Sequence, residues 1–126
     1  MNNAHEALRR SLTALPGVTE VYPYKPRTRA FQVGGMTFAL TRVDDKPPCV
    51  SLKGNPDENE ADRAEYPVIR PGPLLNKRCW NTIPLDGSLP DDVLDELIEA
   101  SYTFAWRALS RATRAALLTA RPEETP

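Results

Sequence analysis

The chain is poor in the residues that most often build reaction centres. It holds one histidine, His5, and two cysteines, Cys49 and Cys79, in 126 residues. A lone His beside Glu6 offers neither a metal-ligand set nor a general base for a hydroxyl such as that of Ser101. Cys79 follows Arg78, which favours a thiolate, yet no base accompanies it. One disulfide between Cys49 and Cys79 is possible. The Met1–Glu6 stretch lacks the basic-then-apolar layout of a secretory leader, so two reduced, buried thiols are expected. No apolar run approaches the roughly 20 residues of a bilayer-spanning helix. Val33-Gly34-Gly35 has neither the third glycine nor the following helix of a phosphate-binding loop. These absences point to a non-enzymatic protein without a cofactor, a membrane segment or a metal. The cytoplasm of a bacterium or a similar cell is the expected location.

What is present suits one domain, over residues 1–120, with residues 121–126 as a frayed tail. Apolar residues make up 40% of the chain and charged ones 26%, the balance of a soluble globular protein. Thirteen prolines mark abrupt turns. Ala4, Leu8, Leu12 and Leu15 recur at helical spacing, with Arg9 and Arg10 between them, and the helix must stop at Pro16-Gly17. Val18 to Tyr24 reads as a short edge strand bounded by Pro23 and Pro26. Phe31 and Val33, then Met36, Phe38 and Leu40, alternate around Gly34-Gly35 and predict a tight hairpin. Asp44 to Pro48 reads as a turn, and Cys49 to Lys53 as a strand with Val50 and Leu52 on one face.

Asp57 to Tyr66 is compatible with a short exposed helix ended by Pro67. Val68 to Arg70 and Cys79 to Leu85 read as further strands. Ser88 stands three residues before Asp91, as in a capping box, with Pro90 in the first turn of the next helix. Val93, Leu94, Leu97, Ile98, Ser101, Tyr102, Phe104, Ala105, Ala108 and Leu109 give that helix a wide apolar face. Ser110 to Ala120 either extends it or forms a second short helix. The predicted class is α+β: an antiparallel sheet with N-terminal and C-terminal helices on one face.

The net charge of −1 hides a strong segregation. Val21 to Gly54 carries Lys25, Arg27, Arg29, Arg42, Lys46 and Lys53 against Asp44 and Asp45, a balance of +4. Asp57 to Glu65 is −4, and Tyr66 to Leu85, with Arg70, Lys77 and Arg78 and no acid, is +3. Asp86 to Glu99 is −6, and Ala100 to Arg121 is +4. Such blocks can build one basic and one acidic face, or in part reflect acids matched to helix starts.

Several short motifs occur in a fixed order. Leu15-Pro16-Gly17 closes the first helix and the Phe31 to Leu40 hairpin follows. Leu52-Lys53 precedes Pro56, and Tyr66-Pro67 precedes Pro71. Leu75-Asn76-Lys77-Arg78 comes before Trp80, then Leu85-Asp86-Gly87, Leu89-Pro90 and Ser101-Tyr102. In this order and spacing the chain resembles the MmcQ/YjbR family of small bacterial proteins, over roughly Ala4 to Leu109. The resemblance implies a fold like that of the frataxin/CyaY group, an antiparallel sheet with two main helices on one side. It also implies a DNA-binding role, as members are commonly described. Pro73, Leu74 and Cys79 stand where members often carry aromatic or His residues, so no base-stacking or His-dependent role is carried over to this loop.

The residues themselves offer Lys77 and Arg78, with Lys53 and Arg70, as phosphate contacts; the plainer alternative is a solvated charged loop. Arg27 and Arg29 before the hairpin and Arg42 after it could form a basic wing, although hairpin ends are charged in most soluble proteins. Trp80 is either a stacking platform for a base or a core anchor against Tyr102 or Phe104, and burial tendencies favour the core. Asp91, Asp95 and Glu99 share a helix face that could attract hard cations, as could Asp92 and Glu96, but matching of the helix N-terminus explains them better. Three roles are weighed: a DNA-binding protein with weak, salt-dependent affinity, a protein-interaction module, and a frataxin-like metal or small-ligand binder. The first is the reading adopted, for an expected monomer.

Overall fold

A computed structural model describes residues 3–22, 28–42, 48–72 and 76–119. The expected Asp44 to Pro48 turn apart from Pro48, the tail beyond Thr119, and Tyr24, Lys25 and Arg27 lie outside them.

The hairpin organises the sheet. Strands β2 (Thr28–Val33) and β3 (Met36–Arg42) meet at Gly34 and Gly35, with φ of 58° and 84°. Two successive positive φ values match the twist of the flanking strands, and glycine adopts them without a Cβ penalty. The register then slips: Gln32 faces Thr37, Phe31 faces Ala39, and Phe38 is the extra residue. This β-bulge turns both Phe38 and Ala39 into the main core. Leu40 consequently points to the opposite side, where the simple alternation of Met36, Phe38 and Leu40 had placed one shared face.

Strand β1 (Val18–Val21) pairs with β2 at one edge. Strands β4 (Cys49–Lys53), β6 (Trp80–Pro84) and the two-residue β5 (Arg70–Pro71) complete an antiparallel sheet in the order β1-β2-β3-β4-β6-β5. One side carries Phe31, Val33, Phe38, Ala39, Val50, Leu52 and Ile83 against Leu8 and Leu12 of helix α1 (Asn3–Thr13) and Ile98 and Ala105 of helix α3 (Asp91–Ala108). The other side carries a smaller cluster of Ala30, Leu40 and Trp80, bordered by Val21 and Cys79.

Trp80 is 8% exposed. It does not pack on Tyr102 or Phe104, because strand alternation sets it opposite Asn81. Asn81 takes the helix side, where Arg63 donates to its Oδ1 at 2.6 Å and its amide donates to the Asn59 carbonyl at 3.2 Å. A polar residue can face that side only because helix α2 (Pro56–Glu65) supplies these partners.

Helix α2 starts on Asn55, whose Oδ1 accepts from the amides of Asp57 and Glu58. Helix α3 starts differently from the capping-box expectation. Pro90 itself occupies the cap without a side-chain bond. The Ser88 amide and hydroxyl are turned back on Asp86 Oδ1, at 3.0 and 2.6 Å. A second helix, α4 (Arg111–Thr119), follows a break at Leu109, which is extended at φ −74°, ψ 152° with its side chain buried. Ser110 Oγ accepts from the Thr113 amide at 3.0 Å and caps the new helix.

Both cysteines are free thiols. Cys49 faces Pro84 while Lys53 faces Trp80, so Cys49 and Cys79 lie at opposite ends of the β4–β6 ladder. About five residues of strand separate them, roughly 17 Å, beyond disulfide reach.

Candidate nucleic-acid interface

Strand pairing decides which cations share a surface. On the sheet side away from the helices, one cross-strand row runs Ala30, Leu40, Ser51, Thr82, Arg70. Lys53 faces Trp80 one step along, and Arg42 faces Thr28 at the other end. Among the described strand residues of this side there is no Asp or Glu. Arg42 and Arg70 are exposed and Lys53 is half-buried.

The turn over residues 76–79 adds Lys77 and Arg78, both exposed. It is held from three directions. Asn76 Oδ1 accepts from the Arg78 amide at 2.9 Å, and the Asn76 carbonyl accepts from the amides of Cys79 and Trp80 at 3.1 Å. Asn59 Nδ2 on α2 donates to the Arg78 carbonyl at 3.1 Å, and the Gly54 amide beyond β4 donates to the Cys79 carbonyl at 2.8 Å. This last bond sets Lys53 next to the turn. A Cβ on Gly54 would stand 2.8 Å from Asn59 Oδ1, so a larger residue there would have to displace the Asn59 side chain that holds the turn. Among the described residues, Lys53, Arg70, Lys77 and Arg78 form no ion pair.

Arg29 does not belong to this surface. It alternates with Ala30 and so takes the helix side, where its Nε lies 3.6 Å from Glu20 Oε2. The same carboxylate accepts from Arg9 Nε at 2.8 Å through Oε1, and Arg9 also lies 3.6 Å from Glu6. The hydrogen bond that Arg9 donates to Glu20, followed by the charge of that carboxylate, raises the Arg9 pKa. Arg29 is thus committed to a local charge cluster at the β1 edge, not to an external anion.

The acids gather on the helix side. Tyr66, just after α2, has its phenol pushed up by burial first, then by Glu65, Glu96 and Asp92. The phenol thus lies among carboxylates at the end of α2 and the start of α3. Asp62 is also raised, by burial and then by Glu58 and Glu65. A cavity of about 40 Å³ lies between α2, α3 and the β4 end, lined by Asn59, Asp62, Asn81 and Ser101. It is far below the roughly 300 Å³ of a small-molecule site, which two more open grooves approach, one of about 250 Å³ beside Tyr102, Trp106 and Leu117 and one of about 260 Å³ beside Leu8, Leu85 and Leu94. Among the described residues no three His, Cys, Asp or Glu side chains gather in a way that could hold a metal ion. No helix among them is long and apolar enough to cross a membrane.

The Asn59–Asn81–Arg63 bridge that stiffens the interface was not evident in the sequence. Its only signal is an Asn beside Trp80 at a strand position, which alternation leaves open to either side.

The arrangement is that of a small α+β protein whose antiparallel sheet shows a cation-bearing face opposite a helical layer in which α2 and the first half of α3 are acidic. The profile of the YjbR family matches residues 13–104, and the chain belongs to that family. It is 34% identical over 105 residues to the uncharacterized Escherichia coli (strain K12) protein YjbR, covering 83% of this chain and 89% of that one. It is 28% identical to the Escherichia coli O157:H7 protein YbdF, over 85% and 88% of the two chains. The crystal structure of the Deinococcus radiodurans protein DR2400 superposes with a TM-score of 0.83 at 34% identity, covering 90% of this chain and 86% of that one. A Pseudomonas syringae protein shares the fold at TM-score 0.67 and 20% identity, over 83% and 99% of the chains.

Proposed function

We propose that this protein is a non-enzymatic DNA-binding protein that uses the outer sheet face and the residue 76–79 turn. The observation that carries the reading is the placement of Lys53, Arg70, Lys77 and Arg78. Lys53 and Arg70 lie on the outer sheet face, Lys77 and Arg78 are exposed on the turn that leads into β6, none of the four forms an ion pair among the described residues, and the described strand residues of that face include no acid. Cations of this kind, three exposed and Lys53 half-buried, can contact phosphates and release counterions, while buried Trp80 is withdrawn from base stacking. Binding is therefore of the backbone, weak and indifferent to sequence.

Four phosphate contacts give a slope of log affinity against log salt near −0.9 per contact, about −3.6 in all. Affinity for a labelled duplex then falls about 150-fold between about 50 and 200 mM salt. Lys77→Ala with Arg78→Ala halves the slope to about −1.8, leaving about a 12-fold fall. Fluorescence anisotropy across this salt range reads both slopes. Absence of binding at the low-salt end, or an unchanged slope in the double variant, removes the reading.

A further inference from the structure

The polar centre of the outer face is a pair of hydroxyls. Ser51 and Thr82 are cross-strand partners, and Ser51 Oγ lies 2.9 Å from Thr82 Oγ1. One hydroxyl donates to the other, so the acceptor keeps a proton for a further partner. Both residues are half-buried, where a hydrogen bond to an anion is stronger than in open water. Arg70 is the cross-strand neighbour of Thr82 on β5, about 5 Å away between Cα atoms. Lys53 lies two residues along β4 from Ser51 on the same face, roughly 7 Å away. The Gly72 amide donates to the Trp80 carbonyl at 2.9 Å. A Cβ on Gly72 would meet Trp80 Cβ at 3.0 Å and Thr82 Oγ1 at 3.8 Å. Glycine there lets the chain after β5 pass close against Trp80 at the edge of this hydroxyl pair.

We propose that the Ser51–Thr82 pair is the seat of a single phosphate group. The free hydroxyl proton is donated to a non-bridging oxygen, Arg70 supplies a forked guanidinium, and Lys53 supplies a point charge. The inference rests on the DNA-binding reading for the source of that phosphate, since inorganic phosphate offers the same oxygens. The seat differs in kind from the Lys77-Arg78 turn. The turn neutralises charge, whereas paired hydroxyls on adjacent strands fix where one phosphate lies and so set the register of a backbone on the sheet.

The test combines Ser51→Ala with Thr82→Val, which removes both hydroxyls while leaving every charge in place, and uses Arg70→Gln as an exposed second variant. Melting by circular dichroism checks that each variant is folded. In anisotropy with labelled duplex at low salt, each variant is expected to bind about tenfold more weakly, the loss of one charge-assisted contact. In parallel, inorganic phosphate titrated into the wild-type protein is expected to give saturable NMR shifts at the Ser51, Arg70 and Thr82 amides, absent from the hydroxyl variant. If duplex affinity survives both variants while Lys77→Ala with Arg78→Ala abolishes it, the seat is overturned and the DNA reading stands. If the wild type binds no duplex but inorganic phosphate shifts these amides, the DNA reading falls and the seat stands, with free phosphate as its ligand. Neither response overturns both.

Discussion

Gly34 and Gly35 provide a matched pair that separates backbone strain from packing. Both have positive φ, 58° and 84°, so an added Cβ costs each about 1–2 kcal/mol. Only Gly34 is enclosed: a Cβ there would stand 2.8 and 2.9 Å from the two Leu109 δ carbons and 3.0 Å from Thr113 Cγ2. At Gly35 nothing lies within 4 Å. Leu109 is 9% exposed and anchors the α3–α4 corner, so it cannot move aside without loosening the core. Overpacking of this type costs a further ~1–3 kcal/mol. Gly34→Ala is therefore expected to destabilise by about 2–5 kcal/mol and Gly35→Ala by about 1–2 kcal/mol. Urea unfolding with an unchanged slope gives both values directly. Repeating Gly34→Ala in a Leu109→Ala background removes the clash, and its cost should drop to that of Gly35→Ala. Equal destabilisation by the two single variants would refute the seating of the α3–α4 corner on the hairpin turn.

The charge cluster at the β1 edge predicts that Arg29→Gln lowers stability by about 1 kcal/mol while duplex affinity stays within about twofold, since Arg29 faces Glu20 and not the outer surface. A fall in affinity like that of the Lys77 and Arg78 variants would return Arg29 to the interface. Asp62 has a folded-state pKa above its ordinary 3.8, with burial as the main cause and Glu58 and Glu65 adding to it. The folded protein thus holds this proton more tightly than the unfolded chain, and ionisation at neutral pH weakens the fold. Asp62→Asn is expected to raise the melting temperature at neutral pH, with the gain vanishing as pH falls through the folded pKa. A gain that grew in acid would reverse the sign of this argument. Trp80→Ala should cost about 3–5 kcal/mol and couple in a double-mutant cycle to Leu40→Ala but not to Tyr102→Ala, because the sheet lies between Trp80 and Tyr102.

Local chemistry was the legible part. Gly34-Gly35 between alternating runs named the hairpin, Pro67 ended α2, and Val50 with Leu52 marked the core side of β4 before any tertiary contact was known. Properties set by register were not legible. The extra residue at Phe38 reverses the side of Leu40, and nothing in Met36 to Leu40 announces it. It is held by the Ser101 hydroxyl, which donates to the Phe38 carbonyl at 2.9 Å from a helix 63 residues away in sequence. The same limit applied to Trp80, whose side depends on Asn81 finding Asn59 and Arg63 on α2. Charge segregation was visible along the chain, but only the pairing of strands separates Arg42 from Arg29.

The motif that first suggested a binding loop, Asn76 to Trp80, divides by role in the fold. Asn76 folds the turn, the Arg78 carbonyl ties it to α2, the Cys79 carbonyl ties it to β4, and Trp80 buries its root. Ser101 and Tyr102 act in the same way at the other end, the phenol donating to the Pro16 carbonyl at 2.6 Å. Most of the residues that place this chain in its family are therefore scaffold, and the side chains of Lys77 and Arg78 are the part of the motif that the scaffold leaves outward. A clamped turn loses little conformational freedom when its cations meet a phosphate backbone. If the proposed contacts form, that rigidity lowers the ordering cost at the turn, and so small a number of charges keeps the salt slope at about −3.6, shallower than that of a larger basic surface.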